Sequence, residues 1–374
     1  MRACFLMRAG AIVAATLLLS ACGVGMLGRN ALPVELTADA VVAGNQTLRY
    51  WGDDPEFVAT HSSVKAGSDG IVDYLTLSGG GINGAYGAGY LVGWTAKGTR
   101  PDFEVVTGIS VGAMMAPLAF LGPQYDGRLQ AAFSTLTEQT TMRIDFISAL
   151  FGASSVMDNK VILSAIRQLV DEQVIREVAI AHRQGRRLYI GTTNLDAQRP
   201  VIWDIGAIAV SNIPNKLELV HRIILASTAV PGVFPPVLVD VSAKENAFDE
   251  LHVDGGVTQQ VLLMPGGYKN GRGNQKLYVI FNGVVDPTPS NVTKLASIDL
   301  LGRAVPTMLK YLGRANLEQL ANTASRNNIA FRLSAIPADF PESKGILGDR
   351  AWLGQLFDFG FANGKAGAWQ NTPR

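Results

Sequence analysis

The chain has 374 residues, 48% of them hydrophobic and 17% charged, with a net charge of +1 at neutral pH. These values exclude a chain disordered throughout, and they leave neither a basic excess for nucleic acid nor an acidic excess for a solvated tail. The length suits one large domain or two small ones, with apolar residues enough for a sizeable core.

The N-terminus reads as a processing signal. Arg2 and Arg8 lead into an apolar run at 9–19, too short to span a bilayer at about 1.5 Å per residue. Leu19-Ser20-Ala21-Cys22 follows and resembles the lipobox of bacterial lipoproteins, where small residues precede a cysteine that is lipidated and becomes residue one. An ordinary secretory peptide cut near Ala21 is the alternative. Cys4 and Cys22 are the only cysteines, so a mature chain starting at Cys22 would hold no free thiol and no disulfide. The resemblance implies a signal peptide at 1–21 and a stable acyl anchor on Cys22. Gly23, rather than Asp, after the cysteine implies the outer membrane of a bacterial envelope.

Residues 22–70 read as a tether and an N-terminal arm, with a short helix at 36–42 and a turn at Asp53-Asp54-Pro55. A domain is expected over 71–365 and a tail over 366–374. Within the domain the pattern is strand, glycine loop, helix, repeatedly. Strands are expected at 74–78, 103–107, 187–193, 250–253, 276–284 and 329–334, with 201–205 as the partner of 187–193. Helices are expected at 85–97, 113–121, 161–176, 216–229 and 298–323. The apolar run 144–157 is a candidate buried helix, acyl-pocket lining or lid. Alternating strands and helices predict an α/β fold with a largely parallel sheet, whose ligands sit at the carboxyl ends of the strands.

Three elements carry chemistry. Gly79-Gly80-Gly81-Ile82-Asn83-Gly84 matches G-x-G-x-x-G between a strand and a helix. A dinucleotide site would need an acid at the end of the next strand, but Asp102 and Glu104 stand at that strand's beginning. The other functional reading is an oxyanion hole from converging backbone N–H groups. Gly108-Ile109-Ser110-Val111-Gly112 has the form of a nucleophile elbow, a tight strand-to-helix turn. Asp254-Gly255-Gly256 places a carboxylate at a strand end beside glycines that allow close approach. Ser110 needs a base. His61 lies in the arm, His182 beside arginines at what reads as a solvated helix end, and His221 in a helix. His252, two before Asp254, is the one candidate for a Ser-His-Asp triad. Asp254 itself is the other candidate base. No cluster has metal-ligand spacing.

Together these motifs resemble the patatin-like phospholipase family. The segment Ala226-Ser227-Thr228-Ala229-Val230-Pro231-Gly232-Val233-Phe234-Pro235-Pro236 adds to the likeness, as does Thr193-Asn194-Leu195. The resemblance implies a three-layer α/β/α sandwich and a serine acyl hydrolase without a cofactor. It implies a dyad with Ser110 as nucleophile and Asp254 as base, and an oxyanion hole in the loop formed by Gly79, Gly80, Gly81, Ile82 and Gly84. The substrate it implies is a phospholipid, lysophospholipid or related lipid ester. Many members carry Arg or Lys where this chain has Asn83, a difference that bears on phospholipid preference more than on ester hydrolysis. Asn83 is also a candidate helix cap. A non-catalytic lipid-binding lipoprotein on the same fold is the reading from another class.

Overall fold

The structure is a computed structural model that describes residues 29–54, 64–133, 159–262, 274–289, 291, 297–342 and 350–373. The signal at 1–21, Cys22, Gly23, His61 and the run 144–157 lie outside these residues.

Nine strands form one sheet among the described residues. They are β1 (Arg49–Trp51), β2 (Ile71–Leu77), β3 (Val105–Ile109), β4 (Arg187–Asn194), β5 (Arg199–Asp204), β6 (Val237–Ala243), β7 (Asn246–Asp254), β8 (Asn274–Val284) and β9 (Ala330–Ile336). The central strands β9, β8, β2, β3 and β4 run parallel. Antiparallel β5 and then β1 extend the sheet beyond β4, so the N-terminal arm supplies an edge strand. The hairpin of β6 and β7 attaches to the end of β4.

Alternate residues of a strand face opposite sides of the sheet, and the core divides accordingly. Val106, Leu188, Ile190 and Ile280 pack in one layer, whereas Val105, Ile109, Tyr189 and Val279 pack in the other. The first layer holds helices α1 (Gly84–Lys97), α2 (Val111–Leu121), α3 (Asp126–Phe133), α4 (Asn159–Leu169), α5 (Glu172–Arg183), α6 (Ile205–Val210) and α7 (Lys216–Thr228). The second is covered by α8 (Ser297–Arg326) through Leu317, Leu320 and Ala324. A final helix, α9 (Arg350–Ala366), lies along α1 so closely that a Cβ on Gly93 would strike the Phe361 carbonyl, and one on Gly360 the Tyr86 carbonyl. The expected three-layer α/β/α sandwich is the fold observed.

Several local expectations are corrected. The helix expected over 161–176 is two helices, because Asp171 starts a new one by accepting the Val174 N–H at 3.0 Å. The helix expected at 36–42 is a 3-10 turn, Val34–Asp39. The expected tail at 366–374 is docked: Gln370 exchanges both backbone hydrogen bonds with Leu333, and Trp369 packs edge-on against Tyr90 and Trp94 and tilted against Tyr278.

Candidate active site

Strand β4 brings the candidate nucleophile and base together. Along one edge, β3 pairs with it as far as Ile109 opposite Gly191. There β3 turns away into the elbow. The vacated edge is taken by β7, with Asp254 opposite Thr192. Ile109, the residue before Ser110, and Asp254 therefore stand at consecutive positions of the same ruler, although 144 residues separate Ser110 from Asp254 in sequence. The junction needs close backbone approach. A Cβ on Gly255 would lie 2.6 Å from the Gly191 carbonyl, and one on Gly112 would strike the Leu77 carbonyl. Gly108 closes the elbow against Gly112.

Ser110 has φ 55° and ψ −125°, strained for a non-glycine residue, and is buried. Its N–H donates to Ser227 Oγ at 2.9 Å, and Ser227 Oγ donates to the Gly191 carbonyl at 2.7 Å. Two residues on, the Ala229 carbonyl accepts the Asp254 N–H at 2.9 Å. The end of α7 thus holds the backbone of both residues. That role was hidden in the sequence, where Ser227 appears only as part of the Ala-Ser-x-Ala-x-Pro segment.

Asp254 is buried. Its Oδ1 accepts the Gly256 N–H at 2.7 Å, and its Oδ2 has no hydrogen-bond partner. Burial pushes its pKa up to about 6, against the opposing pull of the Ser110 hydroxyl and the Gly256 N–H. The serine hydroxyl therefore faces a carboxylate with one free oxygen and a raised proton affinity.

The glycine loop lies against the elbow. A Cβ on Gly79 would be 3.3 Å from Ser110 Cβ. Gly80 has φ 149°, and a side chain there would strike the Asn282 carbonyl. Asn282 clamps the loop: its N–H donates to Ser78 Oγ (2.7 Å), its Nδ2 to the Ser78 carbonyl (3.0 Å), and its Oδ1 accepts the Gly87 N–H (3.1 Å). Within the expected oxyanion set the roles divide. The Gly79 N–H donates to the Gln260 carbonyl at 3.1 Å, and the Gly84 N–H to the carbonyls of Gly81 and Ile82. Those two glycines supply space and are corrected as donors. Gly80 is solvent-exposed and Gly81 and Ile82 are half-exposed, and their N–H groups remain as the candidate donors. Asn83 is not a side-chain cap; it sits in a 3-10 turn, Gly81–Asn83, that runs into α1. Gln260 ties the loops together, its Nε2 donating to the Gly256 carbonyl at 2.9 Å.

The three described histidines are committed elsewhere. His252 Nδ1 accepts from Thr192 Oγ1 at 2.9 Å, and Thr192 Oγ1 in turn accepts from Trp203 Nε1 at 2.8 Å. The other ring nitrogen of His252, Nε2, donates to Glu250 at 3.2 Å. Both ring nitrogens are used, and burial lowers the pKa of this histidine. His221 is buried and donates to the Val170 carbonyl at 2.6 Å. His182 is not solvated as expected. It packs on Gly206, and burial, with Arg187 and Arg183, lowers its pKa to about 4.

Among solved structures the chain is similar to VipD from Legionella pneumophila, at 10% identity over 82% of this chain and 70% of that one, with a TM-score of 0.36. It is also similar to the type III effector protein ExoU, at 14% identity over 81% of this chain and 58% of that one, with a TM-score of 0.30. No curated protein matches it. The family model described as patatin-like phospholipase matches residues 75–265. That stretch is more than half of the chain and contains the glycine loop, the elbow and Asp254-Gly255-Gly256; the chain belongs to the patatin-like phospholipase family, and its fold is that of a lipid acyl hydrolase.

Proposed function

We propose that this protein hydrolyses fatty acyl esters of phospholipids, lysophospholipids or related lipids with a Ser110–Asp254 dyad. Ser110 Oγ attacks the ester carbonyl while its proton passes to Asp254. The Gly80 and Gly81 N–H groups hold the oxyanion as the tetrahedral intermediate forms. Asp254 then gives the proton to the departing alcohol, leaving an acyl group on Ser110. Water, deprotonated by the same carboxylate, releases the fatty acid. The observation that carries this reading is the free Oδ2 of a buried Asp254 beside Ser110, with His252 occupied at both nitrogens.

The test compares three variants on a short-chain p-nitrophenyl ester. Ser110→Ala and Asp254→Asn abolish turnover in folded protein, whereas His252→Gln retains it. Equal loss in His252→Gln, with folding intact, would restore the triad; full turnover in Ser110→Ala would overturn the mechanism. Anchoring in the outer membrane through a lipidated Cys22 is the matching proposal for location. It predicts metabolic labelling by a clickable fatty acid that disappears in Cys22→Ser. Labelling unchanged in that variant would refute it.

A further inference from the structure

Helix α8 has 30 residues, so it runs about 45 Å, roughly twice the length of a seven-residue strand. Its C-terminal half packs on the sheet. Its N-terminal half overhangs the end of the sheet at which β8 finishes, which is also the end that carries Ser110 and the glycine loop. The helix is fixed to the active site at its middle: Asn316 Oδ1 accepts the Gln260 N–H at 2.9 Å, and Gly313 lies against the Gln260 side chain.

The overhang is apolar where it meets solvent. Leu300, Val305, Met308 and Tyr311 are 44%, 48%, 70% and 55% exposed. At about 100° per residue they fall within an arc of about 140°, turned away from the core-facing Leu317 and Leu320. Arg303, Lys310 and Arg314 fall within about 40° of one another along the border of that arc. This ridge rests on the loop after β8: Arg303 donates to the Thr288 carbonyl, Lys310 to the Asp286 carbonyl and Thr288 Oγ1, and Arg314 to the Val285 carbonyl. Two acids stand near it, Asp286 at 3.9 Å from Arg314 and Glu342 near Lys310, against three cations. Val257, next to Asp254-Gly255-Gly256, is exposed as well. Among the described residues no helix is long and apolar enough to cross a membrane. An apolar stripe bordered by a basic ridge is the division of a helix that lies in a membrane interface, and the ridge complements anionic headgroups.

We propose that the N-terminal half of α8 is the surface on which the protein docks to an anionic lipid bilayer. The stripe enters the acyl boundary and the ridge lies along the headgroups, which brings the glycine loop and Ser110 to the lipid. This rests on the acyl-hydrolase reading above, and the experiment separates the two. In the full chain, the combined Val305→Ser, Met308→Ser and Tyr311→Ser variant keeps its turnover of a soluble p-nitrophenyl ester. It loses on the order of tenfold in hydrolysis of phosphatidylglycerol–phosphatidylcholine vesicles. Wild-type protein that cleaves neither substrate refutes the hydrolase reading; a variant that cleaves vesicles as fast as wild type refutes the docking alone. A second measurement is independent of turnover. A polarity-sensitive fluorophore on Met308→Cys, in a chain with Cys4→Ser and Cys22→Ser, shifts to the blue on adding anionic vesicles, and less so at high salt. Absence of that shift overturns the proposal. So does a shift that follows protein concentration without lipid, which would assign the stripe to a second copy of the chain.

Discussion

Two carboxylates on β7, four residues apart, are both buried and are driven in opposite directions. At Glu250 burial alone would raise the pKa, but hydrogen bonds from Arg49 and His252 outweigh it and bring the value down to about 2. At Asp254 burial is opposed only by the uncharged Ser110 hydroxyl and Gly256 N–H, and the value rises to about 6. Arg49 comes from the edge strand β1, grips both oxygens of Glu250 and sits over the Trp203 ring. The difference teaches what separates a strut from a base. A buried carboxylate with a cation is held charged and inert, whereas one that has only N–H and O–H neighbours retains the affinity to take a proton from an alcohol.

The largest effect expected is on activity. Asp254→Asn removes the proposed base and lowers kcat by roughly 10³- to 10⁴-fold, whereas Glu250→Gln leaves turnover per folded molecule near wild type. Steady-state kinetics on a soluble ester decide it, and a comparable kcat loss in both variants would erase the distinction. The next effect is on stability. Arg49→Ala strands the Glu250 charge in the interior and costs about 3–5 kcal/mol in denaturant unfolding. A cost below about 1 kcal/mol would mean that β1 does not hold Glu250 charged.

The two groups also predict opposite pH signatures. Asp254 has a raised folded pKa, so its contribution to stability is full below its unfolded value of 3.8 and is lost as pH rises through about 6. Glu250 has a lowered folded pKa, so its contribution is present above 4.5 and is lost as pH falls towards about 2. Stability of wild type relative to Asp254→Asn should therefore fall between pH 4 and 7, by an amount on the order of 3 kcal/mol. Relative to Glu250→Gln it should rise by a similar amount between pH 2 and 5. Urea unfolding across that range reads both slopes; slopes of the same sign would contradict the opposing environments. Activity should rise with pH through about 6, as Asp254 must be ionised to act.

Much of the catalytic face was legible because its constraints are local. A strained turn demands Gly108 and Gly112, and a loop folded over the Asn282 carbonyl demands Gly80, so the chemistry leaves glycines at readable spacings. From the residues alone Asp254 was one of two candidate bases for Ser110, and only the family likeness chose it over His252, because the proposed partnership depends on β7 replacing β3 along β4. No local pattern encodes that exchange. Helix α9 escaped notice for a related reason. Gly360 and Gly364 lower helix propensity, and their purpose, backbone contact with α1, appears only when the two helices are packed. Strand β6 was missed although it alternates buried and exposed residues, Val237, Val239 and Val241 inward and Leu238 and Asp240 outward. The exposed Leu238 blurred the alternation. His182 was misjudged because neighbouring arginines imply solvent, whereas Gly206 opens a buried place for the ring.

Ser227 offers the smallest and most discriminating test. It is uncharged and fully buried, yet its hydroxyl joins the Ser110 N–H to the Gly191 carbonyl. Ser227→Ala leaves both groups buried without that partner, which costs about 1–3 kcal/mol. Part of this loss falls on the strained backbone at Ser110, which persists only while its surroundings over-determine it. Relaxation there moves Oγ relative to Asp254 and leaves the substrate-binding surface in place. The expected signature is a kcat lowered by roughly tenfold with KM near wild type. The raised pKa of Asp254 should persist, so the pH midpoint of activity stays near 6. A purely structural role would lower the melting temperature and leave kcat per folded molecule unchanged. A shifted pH midpoint would instead show that the brace acts through Asp254, whose N–H the same segment holds at Ala229.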